Sequence, residues 1–356
     1  VISYLSRPFA LVFTLCLLAL SVWCLTTTPP PIKTAKRDKH GVLGYTDARL
    51  YHDIASAVAK GEPYHAAAAK LHRAHHYPLR PFVTMRPPTE MVMAAHIGWK
   101  GFQGICFALL VGGIFGWVMA YEGRLLWPER IGMGVAVAVG GSFIASDWIL
   151  ALQEYPAGLC ITVAMAGMLA WPRQWWINVA VLGLGLFIRE TVLPMVLLML
   201  AYAAWNRRWA QVGAWGALLV AWGAFMAWHR MEAMAQWTPQ DLVSQGWKSA
   251  QGFSGFLKAV IYTSPLQTWP KGPALLAAML PMVGWLAIGR REGAFAALAV
   301  GGMALMIALF SRADTFYWGG IMLPWYFVGY ALLPRAFYQL FGALRGQPLG
   351  RIKPLA

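Results

Sequence analysis

Residues 175–208 read WWINVAVLGLGLFIRETVLPMVLLMLAYAAWNRR, and this stretch decides the fold. Two apolar runs, 175–187 and 192–205, flank one charged turn, Ile188-Arg189-Glu190-Thr191, and the second run closes on Arg207 and Arg208. Apolar runs framed by tryptophan and arginine mark membrane helices, because Trp settles at the interface and short positive loops stay in the cytoplasm. Charges set between two such runs are costly near membrane depth and are usually paired or functional.

The same grammar runs through the chain. Further apolar runs cover 9–25, 101–121, 131–152, 157–171, 212–228, 274–288, 294–310 and 318–333, which predicts about ten transmembrane helices. Several hold only about 13 to 18 residues, short of the roughly 20 that cross a full hydrocarbon layer, so they borrow flanking residues or end in a thinned or water-accessible region. A short half-inserted helix over 90–97 precedes the run at 101–121.

The loops then fall into two sets. One carries Arg124, Arg130, Arg173, Arg207, Arg208, Arg290, Arg291, Arg335, Arg345, Arg351 and Lys353; the other carries Asp47, Asp53, Asp147, Glu154, Glu190, Asp241 and Asp314. The positive set marks the cytoplasmic side and places both termini there. Of 14 acidic residues only Glu122, Glu129 and Glu292 fall inside, and all eight histidines fall outside. Long loops cross regardless of charge, so Lys33, Lys36, Arg37 and Arg49 fit an outer first loop. Trp127, Trp148, Trp171, Trp175, Trp176, Trp205, Trp228 and Trp318 sit at predicted helix ends, as interfacial anchors do. Gly132, Gly134, Gly140 and Gly141 suit close helix packing.

Composition agrees. The 356 residues are 59% hydrophobic and 12% charged, against roughly 25% charged in a soluble domain. The net charge of +15 is spread over membrane-flanking loops with no soluble basic domain, which excludes a nucleic-acid partner and fits membrane lipid headgroups and lipid phosphates. The four cysteines lie in or near apolar runs, so neither a disulfide nor a metal framework is expected. The run at 9–25 leads into Thr26-Thr27-Thr28-Pro29-Pro30-Pro31 without a small-residue cleavage site and reads as an uncleaved first helix. The whole, 1–356, reads as a single integral-membrane domain with outer loops at 26–98 and 230–273. It is an all-α polytopic membrane protein whose large first extracytoplasmic loop holds amphipathic helices.

In that first loop, Leu50, Tyr51, Ile54 and Val58 recur at helical spacing, with Arg49, Asp53, Ser56 and Lys60 on other faces. Gly61 and Pro63 end the pattern. A second helical stretch runs over 64–76 and stops at Pro78. The pair reads as amphipathic helices on the outer membrane surface, and Arg86-Pro87-Pro88 returns the chain to the bilayer.

Asp47 opens the first of these helices and admits two roles. It is a first-turn carboxylate favoured by the helix dipole, with Thr46 as cap, or a general base that takes a proton from an acceptor hydroxyl. His72, His75 and His76 share i, i+3, i+4 spacing, but no cysteine or compact carboxylate set joins them; they read as an interfacial face or as contacts to phosphate or headgroup rather than as a metal site. Arg189 and Glu190 are neighbours that point apart if helical, each toward its own partner. Ser311 to Trp318, with Arg312, Asp314 and Tyr317, is a second charged and aromatic turn, either a tight anchored loop or part of a sugar–phosphate site. Asp147 and Glu154 share one face if their helix is continuous.

The order of these features resembles the GT-C superfamily, polytopic glycosyltransferases that use polyprenyl-phosphate sugars. The resemblance rests on Tyr45-Thr46-Asp47 early in a large outer loop, on Ala59-Lys60-Gly61-Glu62-Pro63-Tyr64 between paired amphipathic helices, and on the return at Arg86-Pro87-Pro88. Ile188-Arg189-Glu190-Thr191 and Asp314-Thr315-Phe316-Tyr317-Trp318-Gly319 are similar to uncharacterised relatives of small bacterial polyprenol-phosphate-mannose mannosyltransferases. The resemblance implies Asp47 as the catalytic carboxylate. A neighbouring second acidic residue, carried by many members, is absent here; Asp53 stands two helical turns away. No cofactor is therefore called for, with a divalent metal the sole candidate.

The expectation is a transferase that moves a sugar from a polyprenyl-phosphate donor to a hydroxyl of a glycan, lipid or protein acceptor, with inversion, on the outer side of a bacterial inner membrane. Asp47 is the base. Arg86, Arg189 and Arg312 hold phosphate, with Glu190, Asp314, Tyr317, His75 and His76 around the substrate. No Gly-rich nucleotide loop is present, in keeping with a lipid-linked donor. Two rival classes are a non-catalytic subunit of a membrane complex and a transporter of lipid or lipid-linked saccharide. The second would need polar residues through the bilayer centre, and the helix middles carry almost none.

Overall fold

The computed structural model describes residues 1–28, 45–247 and 249–347. The triproline Pro29-Pro30-Pro31 and the basic residues Lys33, Lys36, Arg37, Arg351 and Lys353 lie outside the described residues. Among the described residues 78% are helical and none is in a strand. In order the helices are α1 Arg7–Thr26, α2 Asp47–Ala59, α3 Tyr64–Ala74, α4 Thr89–Met119, α5 Trp127–Gly140, α6 Asp147–Leu150 and α7 Glu154–Ala170. There follow α8 Trp175–Ile188, α9 Leu193–Trp205, α10 Trp209–Ala235, α11 Gly252–Tyr262, α12 Lys271–Trp285, α13 Arg290–Phe310 and α14 Val328–Leu344.

Among the described residues four helical segments are long and apolar enough to cross a membrane: Arg7–Thr26, Phe82–Met119, Trp209–Ala235 and Arg291–Phe310. Others are shorter than the roughly 20 residues a crossing needs; α5 and α8 have 14 residues each and α9 has 13. Apolar side chains remain outside the core in numbers a water-soluble surface does not carry, including Phe9, Leu15, Phe107, Phe115 and Val220. Trp127, Trp148, Trp176, Trp205 and Trp228 are exposed as well, as anchors would be, whereas Trp318 is buried.

Two of the expected spans are broken. The run at 131–152 is helical only to Gly140 and then turns through a 3-10 segment, Ser142–Ala145, into the single turn of α6. Gly140 lies against the Pro324 backbone and could not carry a side chain, and Gly141 lies against the Leu110 side chain, which would have to shift for one. The freed carbonyls of Ile144 and Ala145 are taken by the Gln103 amide at 2.7 and 3.0 Å. The run at 318–333 is likewise helical only from Val328; before it come 3-10 turns at Phe316–Ile321 and Trp325–Phe327. Pro324 supplies no amide to a helix there, and Gly319 packs on the Ala259 backbone. Apolar runs cannot by themselves separate helix from buried coil.

The half-inserted helix and the second span form one element, α4, kinked at Gly98 with φ 72° and ψ 158°. α12 and α14 cross where Gly284 meets Gly329: a Cβ on Gly284 would strike the Gly329 carbonyl oxygen, so the backbones touch as small residues allow.

The amphipathic helices pack on protein. Leu50, Tyr51 and Ile54 of α2 and Tyr64, Ala68 and Ala69 of α3 form a second core with Leu79, Met85, Met91, Ala94, Ala151 and Ala233. The two helices thus cap one end of the bundle. The loop after α10 is strapped to this cap: Arg73 grips both oxygens of Asp241, at 2.7 and 3.0 Å, and the amides of Leu79 and Arg80 donate to Leu242 O.

Candidate functional site

Thr46, and not Asp47, caps α2, its hydroxyl accepting from the Arg49 amide at 3.3 Å. The half-buried Asp47 carboxylate is turned elsewhere. Its Oδ2 accepts from the Tyr317 hydroxyl at 2.8 Å, a contact across 270 residues of sequence. Tyr77 reaches the same carboxylate. Burial, and then the nearby Asp47 charge, hold the Tyr317 hydroxyl well above its usual range, so it remains a donor.

Behind Tyr317 lies a buried ionic cluster. Tyr51, one turn after Asp47 on the same face of α2, accepts from Arg86 Nε at 3.2 Å. Tyr64 donates to the Arg86 carbonyl at 2.6 Å and fixes its backbone. Arg86 Nη1 stands 3.6 Å from Glu190 Oε1. Arg189 Nη1 bonds the same Glu190 oxygen. The other edge of Arg189, Nε and Nη2, lies 2.8 Å from Glu154 Oε1. Arg189 is fully buried, Glu154 is 1% exposed, and the guanidinium lies 5.8 Å from the Trp318 ring centroid. Glu90, at the start of α4, faces Glu154 and Arg189; it is fully buried and neither oxygen has a hydrogen-bond partner among the described residues.

The sequence-predicted residues therefore divide. Asp47, Tyr317, Arg86, Glu190 and Arg189 come together. Arg312 and Asp314 pair with each other at 3.1 Å on a more exposed loop, Arg312 reaching Gly246 O, so Arg312 does not join Arg86 and Arg189. His75 stacks on Tyr45, ring centroids 3.4 Å apart, and His76 is exposed with φ 58°. Arg189 and Glu190 have separate partners, Glu154 and Arg86, and they bond one another as well, because the chain leaves the helix at Arg189, with φ −144° and ψ 116°. Asp147 and Glu154 do not share a face: the helix breaks between them, and Asp147 pairs with Lys100 at 3.5 Å.

The histidines do not converge either. His65 and His72 are buried, not interfacial. His65 Nε2 meets His229 Nδ1 at 3.0 Å, and His229 Nε2 donates to Met85 O at 3.0 Å, which links α3 to α10 and to the residue before Arg86. Among the described residues no group of three His, Cys, Asp or Glu side chains could hold a metal ion.

His72 is 2% exposed; its Nδ1–H donates to Pro78 O at 3.0 Å and its Nε2 has no hydrogen-bond partner among the described residues. Burial lowers its pKa from the usual 6.5 to about 4. The unfolded chain thus binds the proton first. The stability held by neutral His72 is complete above pH 6.5 and is lost as pH falls toward 4, on the order of 3 kcal/mol in all. Thermal unfolding in detergent should show the cap loosening across that window. His72→Asn keeps an N–H for Pro78 O without titrating and should flatten the profile; an unchanged profile would remove His72 as its source.

Tyr51, Tyr77 and the roles of Glu90 and Glu154 were not singled out from sequence. Tyr51 was findable, because it stands one helical turn from Asp47. Glu90 and Glu154 carried no signal beyond being acids at helix starts. No protein-family model, curated protein or solved structure matches this chain.

Proposed function

We propose that this chain is an integral-membrane glycosyltransferase of the GT-C type, with about ten spans, some short, and a working face on the side away from the cytoplasm. One observation carries this reading. A carboxylate at a helix start is aimed off its own helix, held by a tyrosine, beside two buried arginines whose edges meet at a single anion position. That arrangement supplies a base and a phosphate grip side by side. Ion pairs at the opposite end, Arg124–Glu292 and Arg335–Glu129, sit at helix ends.

In the proposed reaction a polyprenyl-phosphate sugar enters laterally from the bilayer. Its phosphate lies against Arg86 and Arg189. Asp47 takes the proton of the acceptor hydroxyl, the oxygen attacks the anomeric carbon, and the bond from that carbon to the phosphate oxygen breaks. The lipid phosphate leaves with the electron pair, and the configuration inverts. Tyr317 keeps the Asp47 carboxylate in place and lowers no barrier by itself.

The protein purified into lipid nanodiscs tests the donor class. Incubation with polyprenyl-phosphate sugars should release polyprenyl phosphate in the presence of acceptor. Turnover with a nucleotide sugar and no lipid would refute the proposal.

A further inference from the structure

The anion position between the arginines is filled by the protein itself. Each guanidinium has one edge committed to a support, Arg189 to Glu154 and Arg86 to Tyr51. The other edge of each, Nη1, points at Glu190 Oε1. The second oxygen of Glu190 is buried with no hydrogen-bond partner among the described residues. Glu190 also differs from its neighbours in exposure. Its side chain is 23% exposed, against 0% for Arg189 and 2% for Glu154. It opens the three-residue 3-10 turn Glu190–Val192, outside both α8 and α9.

We propose that Glu190 is a built-in occupant of the phosphate site, which the donor's phosphate must displace to bind. This deepens the proposed function and rests on it. The chemistry favours the exchange. The carboxylate engages the two arginines through one oxygen and leaves the other unsatisfied, whereas a phosphate offers several oxygens to two planar forks at once. Charge favours it too. With Glu154 and Glu190 in place, the two arginines are balanced, so the empty site carries no excess cation to attract unrelated anions. Once phosphate arrives, a Glu190 carboxylate that stayed would repel it, and of the two acids Glu190 is the one with an exposed face. Glu154, sealed behind Arg189, remains as the fixed counter-ion and keeps the Nη1 edge aimed outward.

A merely structural Glu190 would orient Arg86 and Arg189, and removing its charge would then weaken the grip. Displacement predicts the opposite sign. Binding of polyprenyl phosphate to the full-length protein in nanodiscs should tighten about ten-fold in Glu190→Gln, because the amide keeps the size but neither competes as an anion nor repels one. Glu190→Asp, shorter by one methylene, should tighten binding less, and it stands in if the Gln variant does not fold. Equal or weaker binding in folded variants overturns this proposal alone. No binding by wild type or variant overturns it together with the donor reading. Titration with inorganic phosphate separates the sources. Tightening confined to the polyprenyl form assigns the anion to a lipid headgroup, and tightening with both assigns a general phosphate site that the occupant guards.

Discussion

Asp47→Asn should reduce sugar transfer on the order of 10²-fold or more while the fold and donor binding persist. Asparagine matches aspartate in size and can still accept from the Tyr317 hydroxyl, which now bonds Asp47 Oδ2 at 2.8 Å. The capping of α2 belongs to Thr46, so little stability is at stake. What the change removes is a basic oxygen. Transfer from a polyprenyl-phosphate sugar and binding of polyprenyl phosphate, measured on the same preparation, separate the two effects. Near-normal turnover would sink the mechanism. Asp53 would be a poor replacement, because its carboxylate accepts from Tyr45 at 2.6 Å and belongs to that contact.

The largest stability effect should come from Arg189→Met. The guanidinium is fully buried, and its loss strands Glu154, which is itself 1% exposed, with Glu90 beside it. Breaking a buried ion pair from one side costs about 3–5 kcal/mol, most of it the penalty of an uncompensated buried charge. Unfolding in mild detergent followed by tryptophan fluorescence should register that loss. Adding Glu154→Gln in the same chain should restore a good part of it, since the pair and not the single residue is what the site was built around. A single variant as stable as wild type would mean that the Arg189–Glu154 pair does not hold this part of the fold. The rescue would then be absent as well.

Legibility from sequence followed the physics of each signal. Helices whose ends coincide with Trp or Arg, such as α8 and α10, were marked because burial and interface anchoring leave composition traces. The breaks at Gly140-Gly141 and around Pro324 were not. There, backbone packs on backbone, and apolar content is the same whether the segment coils or not. Asp47, Arg86, Arg189 and Tyr317 stood out because ionisable and aromatic residues at helix ends are conspicuous in a chain with 12% charge. Their pairing was not legible. Which guanidinium meets which carboxylate depends on the tertiary arrangement of α2, α4, α7 and the turn before α9, and no local spacing encodes it. Arg312 and Asp314 looked equal to the others for the same reason, yet they satisfy one another on a loop.

The kink at Gly98 gives α4 two arms of unequal duty. The arm over residues 89–97 carries Glu90 and begins three residues after Arg86. At 1.5 Å per residue it is about 13 Å long, so a bend of about 5° at one joint carries its tip roughly 1 Å. That is about twice the tolerance of roughly 0.5 Å within which a binding constellation must be held. No side chain crowds the joint: a Cβ on Gly98 would meet nothing within 4 Å, and only its backbone angle would be strained. The Thr89 hydroxyl, donating to Phe187 O at 2.7 Å, and the buried Met91 and Ala94 hold the arm at the angle set there. In mechanical terms Gly98 is the elbow of a fixed bracket, and the depth at which Glu90 sits follows from the angle of that joint.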